Sequence, residues 1–76
     1  MTDFEKLGLY IKKKRLATGL GLNQFCIEYE ISSNTLSQYE NNKREPKISK
    51  LEKIAKAFNQ TLIEFLTDFE KELPNL

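Results

Sequence analysis

Apolar positions along the chain fall into five groups, each repeating at helical spacing. Phe4, Leu7 and Ile11, joined by Tyr10, make the first stripe, with Leu16 or the Lys14 methylenes completing it. The spacing predicts a helix over 4–18. Thr2-Asp3-Phe4-Glu5 reads as its capping box, with Glu5 three residues after Thr2. Gly19 follows as a C′ residue suited to a left-handed turn. Gly21-Leu22-Asn23-Gln24 opens a short second helix over 22–29, with Phe25, Cys26 and Tyr29 facing inward. The third helix covers 33–41. Ser32 is its N-cap, Ile31 the apolar residue before the cap, and Leu36 and Tyr39 its inner side. Ile48, Leu51, Ile54, Ala55 and Phe58 define a fourth, over 48–58, with Lys50, Lys53 and Lys56 on its outer face. Thr61 caps a fifth, which holds Leu62, Ile63, Phe65, Leu66, Phe69 and Leu73 and stops near Pro74. No β-branched run alternates with polar residues, so the expected fold is all-α.

The second and third helices are joined only by Glu30-Ile31-Ser32. So short a link forces a steep crossing, which is the helix-turn-helix unit. The outer positions of the third helix are Ser33, Asn34, Thr35, Ser37 and Gln38. A helix that only covers a core shows Glu and Lys to water. This one shows hydroxyls and amides, groups that donate and accept at base edges in a DNA major groove.

Composition narrows the picture. The 76 residues form one domain, spanning 1–76. A chain this short buries only about 60–65% of its unfolded surface, so it must be regular. It is 39% hydrophobic and 30% charged, a globular balance. One cysteine, Cys26, excludes an internal disulfide and fits a reducing compartment as a small core residue. No apolar run approaches the ~18 residues of a membrane span, and Met1–Lys6 carries no signal-peptide core. A cytoplasmic protein without membrane contact is expected. With no histidine, no metal-ligand cluster and no Gly-rich phosphate loop, neither an enzyme nor a cofactor is expected.

Net charge is only +1, but its distribution is uneven. Residues 12–56 hold ten Lys or Arg against five Glu, whereas 57–76 hold four acids against Lys71 alone. The basic middle contains the third helix and the acidic part is the tail. That arrangement suits one face for DNA and another for something else. The last helix also carries more apolar residues than one core contact requires. Ile63, Phe69 and Leu73 are therefore expected on a dimer patch, with 67–76 as a dimerisation tail.

From Leu7 to Leu66 the chain resembles the phage repressor and Cro-type (XRE) helix-turn-helix family. The landmarks are Arg15, Gly19-Leu20, Phe25-Cys26, Ile31-Ser32, Thr35 to Asn41 (T-L-S-Q-Y-E-N), Lys43-Arg44, Pro46, Leu51 to Phe58 and Thr61-Leu62. The resemblance implies a compact five-helix lambda-repressor-like domain with the helix-turn-helix at helices two and three. It implies binding of double-stranded operator DNA as a homodimer. Carried over by position, Ser33, Asn34, Ser37 and Gln38 contact bases. Thr35, Asn41, Lys43 and Arg44 contact phosphates or the loop beside them, and Arg15 pairs with Glu40 as a structural lock. Gly21 and Leu22 stand where a capping hydroxyl and a phosphate-binding Gln are common. Asn23 and Gln24 are expected to take over that contact if the helix starts later. Glu30 stands where the family has Gly, so it either adopts a left-handed backbone at roughly 1 kcal/mol or the turn differs. Gln60 replaces a usual apolar residue, which would leave the junction of the last two helices more exposed.

The expected function is a transcriptional regulator, most simply a repressor that covers a promoter. The rival is a protein-interaction module of the same fold, such as an antitoxin, binding a partner protein through the acidic C-terminal helix.

Overall fold

The five predicted helices all form. They are α1 (Asp3–Ala17), α2 (Leu22–Glu28), α3 (Ser33–Glu40), α4 (Ile48–Ala57) and α5 (Leu62–Glu72), followed by a 3-10 turn at Leu73–Asn75. The computed structural model describes residues 3–76, with side chains from Glu5 onward. The Thr2 capping box and the Phe4 side chain lie outside the described residues. Among the described residues no helix is long and apolar enough to cross a membrane.

The core collects the predicted stripes. Leu7, Tyr10 and Ile11 of α1 meet Phe25 and Cys26 of α2, Leu36 and Tyr39 of α3, Leu51, Ile54 and Ala55 of α4, and Phe65 and Phe69 of α5. Burial of a side chain of this size contributes about 1.5–3 kcal/mol, so the inward stripes, more than intrinsic propensity, hold these short helices. A run of aromatic contacts links four helices. Tyr29 meets Phe25 at 4.8 Å between ring centroids, Phe25 meets Phe58 at 5.5 Å, and Phe58 stacks on Phe65 at 6.1 Å. Tyr10 lies 5.4 Å from both Phe65 and Phe69.

Lys14, not Leu16, completes the α1 stripe. Its ammonium lies 5.0 Å from the Phe58 centroid, 5.7 Å from that of Tyr10 and 5.8 Å from that of Phe65. Its Nζ also donates to Gln60 Oε1 at 3.2 Å, and Gln60 Nε2 donates to Asp68 Oδ2 at 2.6 Å. The polar residue at the α4–α5 junction thus bridges α1 to α5 and is only half-buried. Leu16 is 57% exposed. Ile48 departs from expectation too: it is 66% exposed although it shares the helical face of Leu51 and Ala55. It is the first residue of α4 and projects past the rim of the core. There the nearby α3 group is the Tyr39 hydroxyl, which accepts from the Lys47 N–H at 3.5 Å.

Thr61 caps α5 with a complete capping box: Glu64 N–H donates to Thr61 Oγ1 at 3.1 Å, and Thr61 N–H donates to Glu64 Oε1 at 2.9 Å. Burial, with Asp68 and Glu72 nearby, raises the Tyr10 phenol above its ordinary value. A raised folded-state pKa gives a contribution that is fully present below about pH 10 and is lost as pH climbs through the raised value. Urea titrations are therefore expected to show stability falling above pH 10, and Tyr10→Phe to flatten that decline. An identical decline in the variant would assign it elsewhere.

Candidate nucleic-acid interface

Three contacts fix α3 from behind. The first is the turn that leads into it. Tyr29 is the C-cap of α2, and Glu30 follows with φ +55. The Ile31 N–H then donates back to Cys26 O at 2.9 Å and the Glu30 N–H to Ile27 O at 3.4 Å. This is the Schellman arrangement, with buried Ile31 and Cys26 as its apolar contact. Of the two possibilities at Glu30, the chain takes the left-handed backbone. Glu30→Gly is expected to raise stability by up to about 1 kcal/mol, seen as a higher urea midpoint. A loss would mean that the Glu30 side chain compensates for its backbone.

The second contact is the ion pair expected from the resemblance. Arg15 Nε donates to Glu40 Oε2 at 2.8 Å and Nη2 to Glu40 Oε1 at 3.0 Å, while Nη1 donates to Leu20 O at 3.1 Å. The two side chains are 7% and 5% exposed. The hydrogen bond to Glu40 raises the Arg15 guanidinium above its ordinary value, against the opposing effect of burial. Burial also raises the neighbouring Cys26 thiol, helped by Glu40 and offset by Arg15. Cys26 is thereby a neutral packing group, not a poised nucleophile.

The third contact was not anticipated. Gly8 sits where α1 crosses the end of α3. A Cβ built there would come within 2.6 Å of Asn42 Oδ1 and closer still to the carbonyl oxygen of Tyr39. The available signal was a glycine inside an otherwise helical stripe, which usually has a packing reason.

On its other side α3 faces outward. Ser32 caps it, its Oγ accepting from the Thr35 N–H at 3.4 Å. Ser33 and Asn34 are exposed, and Ser37 and Gln38 are half-exposed. Among the described residues, the side chains of Ser33, Asn34 and Gln38 form no hydrogen bond within the chain. Lys43 and Arg44 are exposed in the following loop, which Asn42 enters with φ +58. Thr35 lines a small cleft with Ser32, Lys50 and Lys53. Asn23 and Gln24 are exposed on the first turn of α2. That helix starts at Leu22 and not later, and its N-cap, Gly21, offers no side-chain bond. Asn41, expected at phosphate, is exposed but turns its amide back along α3: Nδ2 donates to Ser37 O at 2.8 Å and to Ser37 Oγ at 3.3 Å.

The three residues expected on a dimer patch separate. Ile63 is 78% exposed, but Phe69 is 6% exposed and belongs to the core. Leu73 is partly buried against that core. Phe69 packs on Tyr10 because the tail continues α5 across α1, where Lys13 also bonds Glu72 at 3.1 Å.

Two short crossed helices, the second locked inward and offering free amides and hydroxyls outward, define a helix-turn-helix DNA-binding domain. A helix-turn-helix family model matches residues 11–65, which covers α2, α3 and α4, the second half of α1 and the start of α5. The chain belongs to that family and is a DNA-binding regulator of the XRE type. No curated protein and no solved structure gives a significant match.

Proposed function

We propose that this regulator is a repressor that binds a near-palindromic operator as a homodimer, with two copies of α3 in major grooves about 34 Å apart. The observation that carries this reading is the contrast across α3: an inner side clamped by Glu40 and by the approach of Gly8, and an outer side on which the Ser33, Asn34 and Gln38 side chains are left unused by the chain. Asn34 and Gln38 can each offer a paired donor and acceptor to adenine N6 and N7, with Ser33 and Ser37 beside them. Lys43 and Arg44, with Thr35, supply contacts to the phosphates, which position the helix without reading sequence; because α2 starts at Leu22, Asn23 and Gln24 are not assigned the contact that a later start would have given them. The protein acts in the cytoplasm and requires no cofactor.

Selection of bound duplexes from random-sequence DNA tests the reading. An enriched two-fold sequence is expected, and Gln38→Ala should relax one or two base pairs of it. If no sequence is enriched at low ionic strength, the proposal fails. If Gln38→Ala weakens all sequences equally, Gln38 does not read bases. For the dimer, Ile63→Glu is expected to shift the protein toward monomer in sedimentation, since Ile63 is the exposed one of the three apolar residues. No shift would remove α5 from the interface. A second reading, docking of a partner protein, draws on the same surface, where exposed Ile63 lies among Glu64 and Glu70. It would be favoured if Ile63→Glu left both DNA binding and assembly unchanged.

A further inference from the structure

The seam between α3 and α4 holds a narrow cleft beside the first turn of α3. Ser32 and Thr35 line it from the start of α3, Lys50 and Lys53 from α4, with Ile31 and Ile54, both buried, among its apolar lining. Its volume is about 20 Å³. A single water-sized oxygen needs about 10–15 Å³, so one oxygen fits and any larger group stays at the mouth. The two hydroxyls can donate or accept, and the two ammoniums only donate. No carboxylate lines the cleft. Glu52, the one acid between the lysines in sequence, lines a separate groove beside Tyr29. Among the described residues neither Lys50 nor Lys53 forms an ion pair or a side-chain hydrogen bond. Residues three apart on a helix are neighbours, so the two ammoniums repel each other until an anion stands between them.

We propose that this cleft is the seat of one backbone phosphate of the bound DNA, held by Lys50 and Lys53 together, with one phosphate oxygen entering beside the Thr35 hydroxyl. This rests on α3 being the DNA-reading helix. A helix is about 10–12 Å across with its side chains and the major groove about 12 Å wide, so a helix that reads bases has a phosphate strand against each flank. The α4 flank of α3 is the one that carries the cleft. Lys43 and Arg44 follow the far end of α3, so the seat holds the end that they do not. Lys50 and Lys53 are positioning residues here: a phosphate contact fixes the register of α3 without reading a base.

Two lysines on one phosphate are partly redundant, whereas two lysines on separate phosphates are not, and salt separates the cases. Counterion release counts the phosphates neutralised, each adding about 0.9 to the slope of log affinity against log salt.

The experiment measures that slope on a selected operator for the wild type, Lys50→Gln, Lys53→Gln, the double variant and Lys56→Gln. Lys56 is exposed on the same helix but does not line the cleft. The double variant is expected to lower the slope by about 0.9 for each copy of the chain bound, so that a fourfold rise in salt weakens it about 3.5-fold less per copy than the wild type. Each single lysine variant keeps one ammonium at the seat and changes the slope by less than half as much. Lys56→Gln leaves the slope as in the wild type, and the ratio of affinities for two operator sequences stays constant throughout. A neutral methylphosphonate placed in turn at each backbone position then locates the seat. At one position per bound copy it weakens the wild type but not the double variant, and Thr35→Val reduces its effect at that same position. A loss of about 0.9 per copy in each single variant would assign the lysines to separate phosphates and overturn the shared seat. An unchanged slope in the double variant, or an equal change in Lys56→Gln, would overturn it too. If the slope is unchanged and inorganic phosphate stabilises the DNA-free wild type over chloride at matched ionic strength, but not the double variant, the cleft belongs to a free anion and the proposal fails. If the wild type enriches a sequence while the double variant keeps its slope, this inference falls and the DNA-reading assignment stands. If the wild type enriches no sequence, both fall.

Discussion

Gly8→Ala is expected to destabilise the protein by about 2 kcal/mol and to weaken DNA binding further. Inside a helix, alanine ordinarily gains close to 1 kcal/mol over glycine, so the expected sign is opposite to the intrinsic preference of α1. The reason is what the new methyl group would meet. Asn42 Oδ1 can rotate aside, but the carbonyl oxygen of Tyr39 is backbone and cannot. That carbonyl also accepts the Asn42 N–H at 3.2 Å in the turn that ends α3. Relief requires α1 and α3 to separate, and overpacking of this kind costs about 1–3 kcal/mol. Separation also tilts the outward side of α3, so affinity should fall by more than the unfolded fraction explains. Urea unfolding gives the first quantity and a binding isotherm at fixed folded concentration the second. A stabilised Gly8→Ala variant would show that the two helices have slack between them.

The second large effect concerns the Arg15–Glu40 pair. Glu40→Leu or Arg15→Leu alone is expected to cost about 3–5 kcal/mol, because each leaves a buried charge without its partner. Against a total stability of about 5–15 kcal/mol for a domain, either change brings the chain close to unfolding. In Arg15→Leu the carbonyl of Leu20 also loses its donor. The double variant is expected to be more stable than either single one, since two leucines bury no charge. The measurement is a double-mutant cycle by urea unfolding, with a coupling energy of at least about 1.5 kcal/mol as the expected result. Additive losses would mean that the two residues act separately. The pair is better regarded as fixing how α3 docks than as a net source of stability, which the double variant would expose as loose sequence preference in a stable fold.

Much of this arrangement is legible in the chain. The helices follow from apolar spacing, and the inner residues Leu36 and Tyr39 from their position behind the Ser32 cap. The Arg15–Glu40 lock came from the family resemblance alone, since two opposite charges 25 residues apart carry no signal of contact. The errors share a cause. Helical spacing gives the direction of a side chain but not whether the core extends far enough to cover it. Ile48 points the right way and overhangs the rim. Phe69 looked surplus because the aromatic run through Phe65 and Tyr10 that absorbs it depends on how α5 crosses α1. For Lys14 the α1 stripe places only the methylenes inward; that its ammonium sits over three rings depends on where Phe58 and Phe65 fall. The role of Gly8 depends on a neighbour's backbone, to which side-chain patterns are blind.

The outward side of α3 has one more consequence. Its hydroxyls and amides carry no formal charge, while the cations stand around it at Lys43, Arg44, Lys50 and Lys53. Added salt acts on binding by making counterion release less favourable, in proportion to the phosphates that cations neutralise. On the proposed reading, ionic strength therefore changes how tightly every duplex is held but hardly changes which duplex is preferred. Affinity and selectivity reside in different atoms, and the ratio of two binding constants should stay level while both decline together.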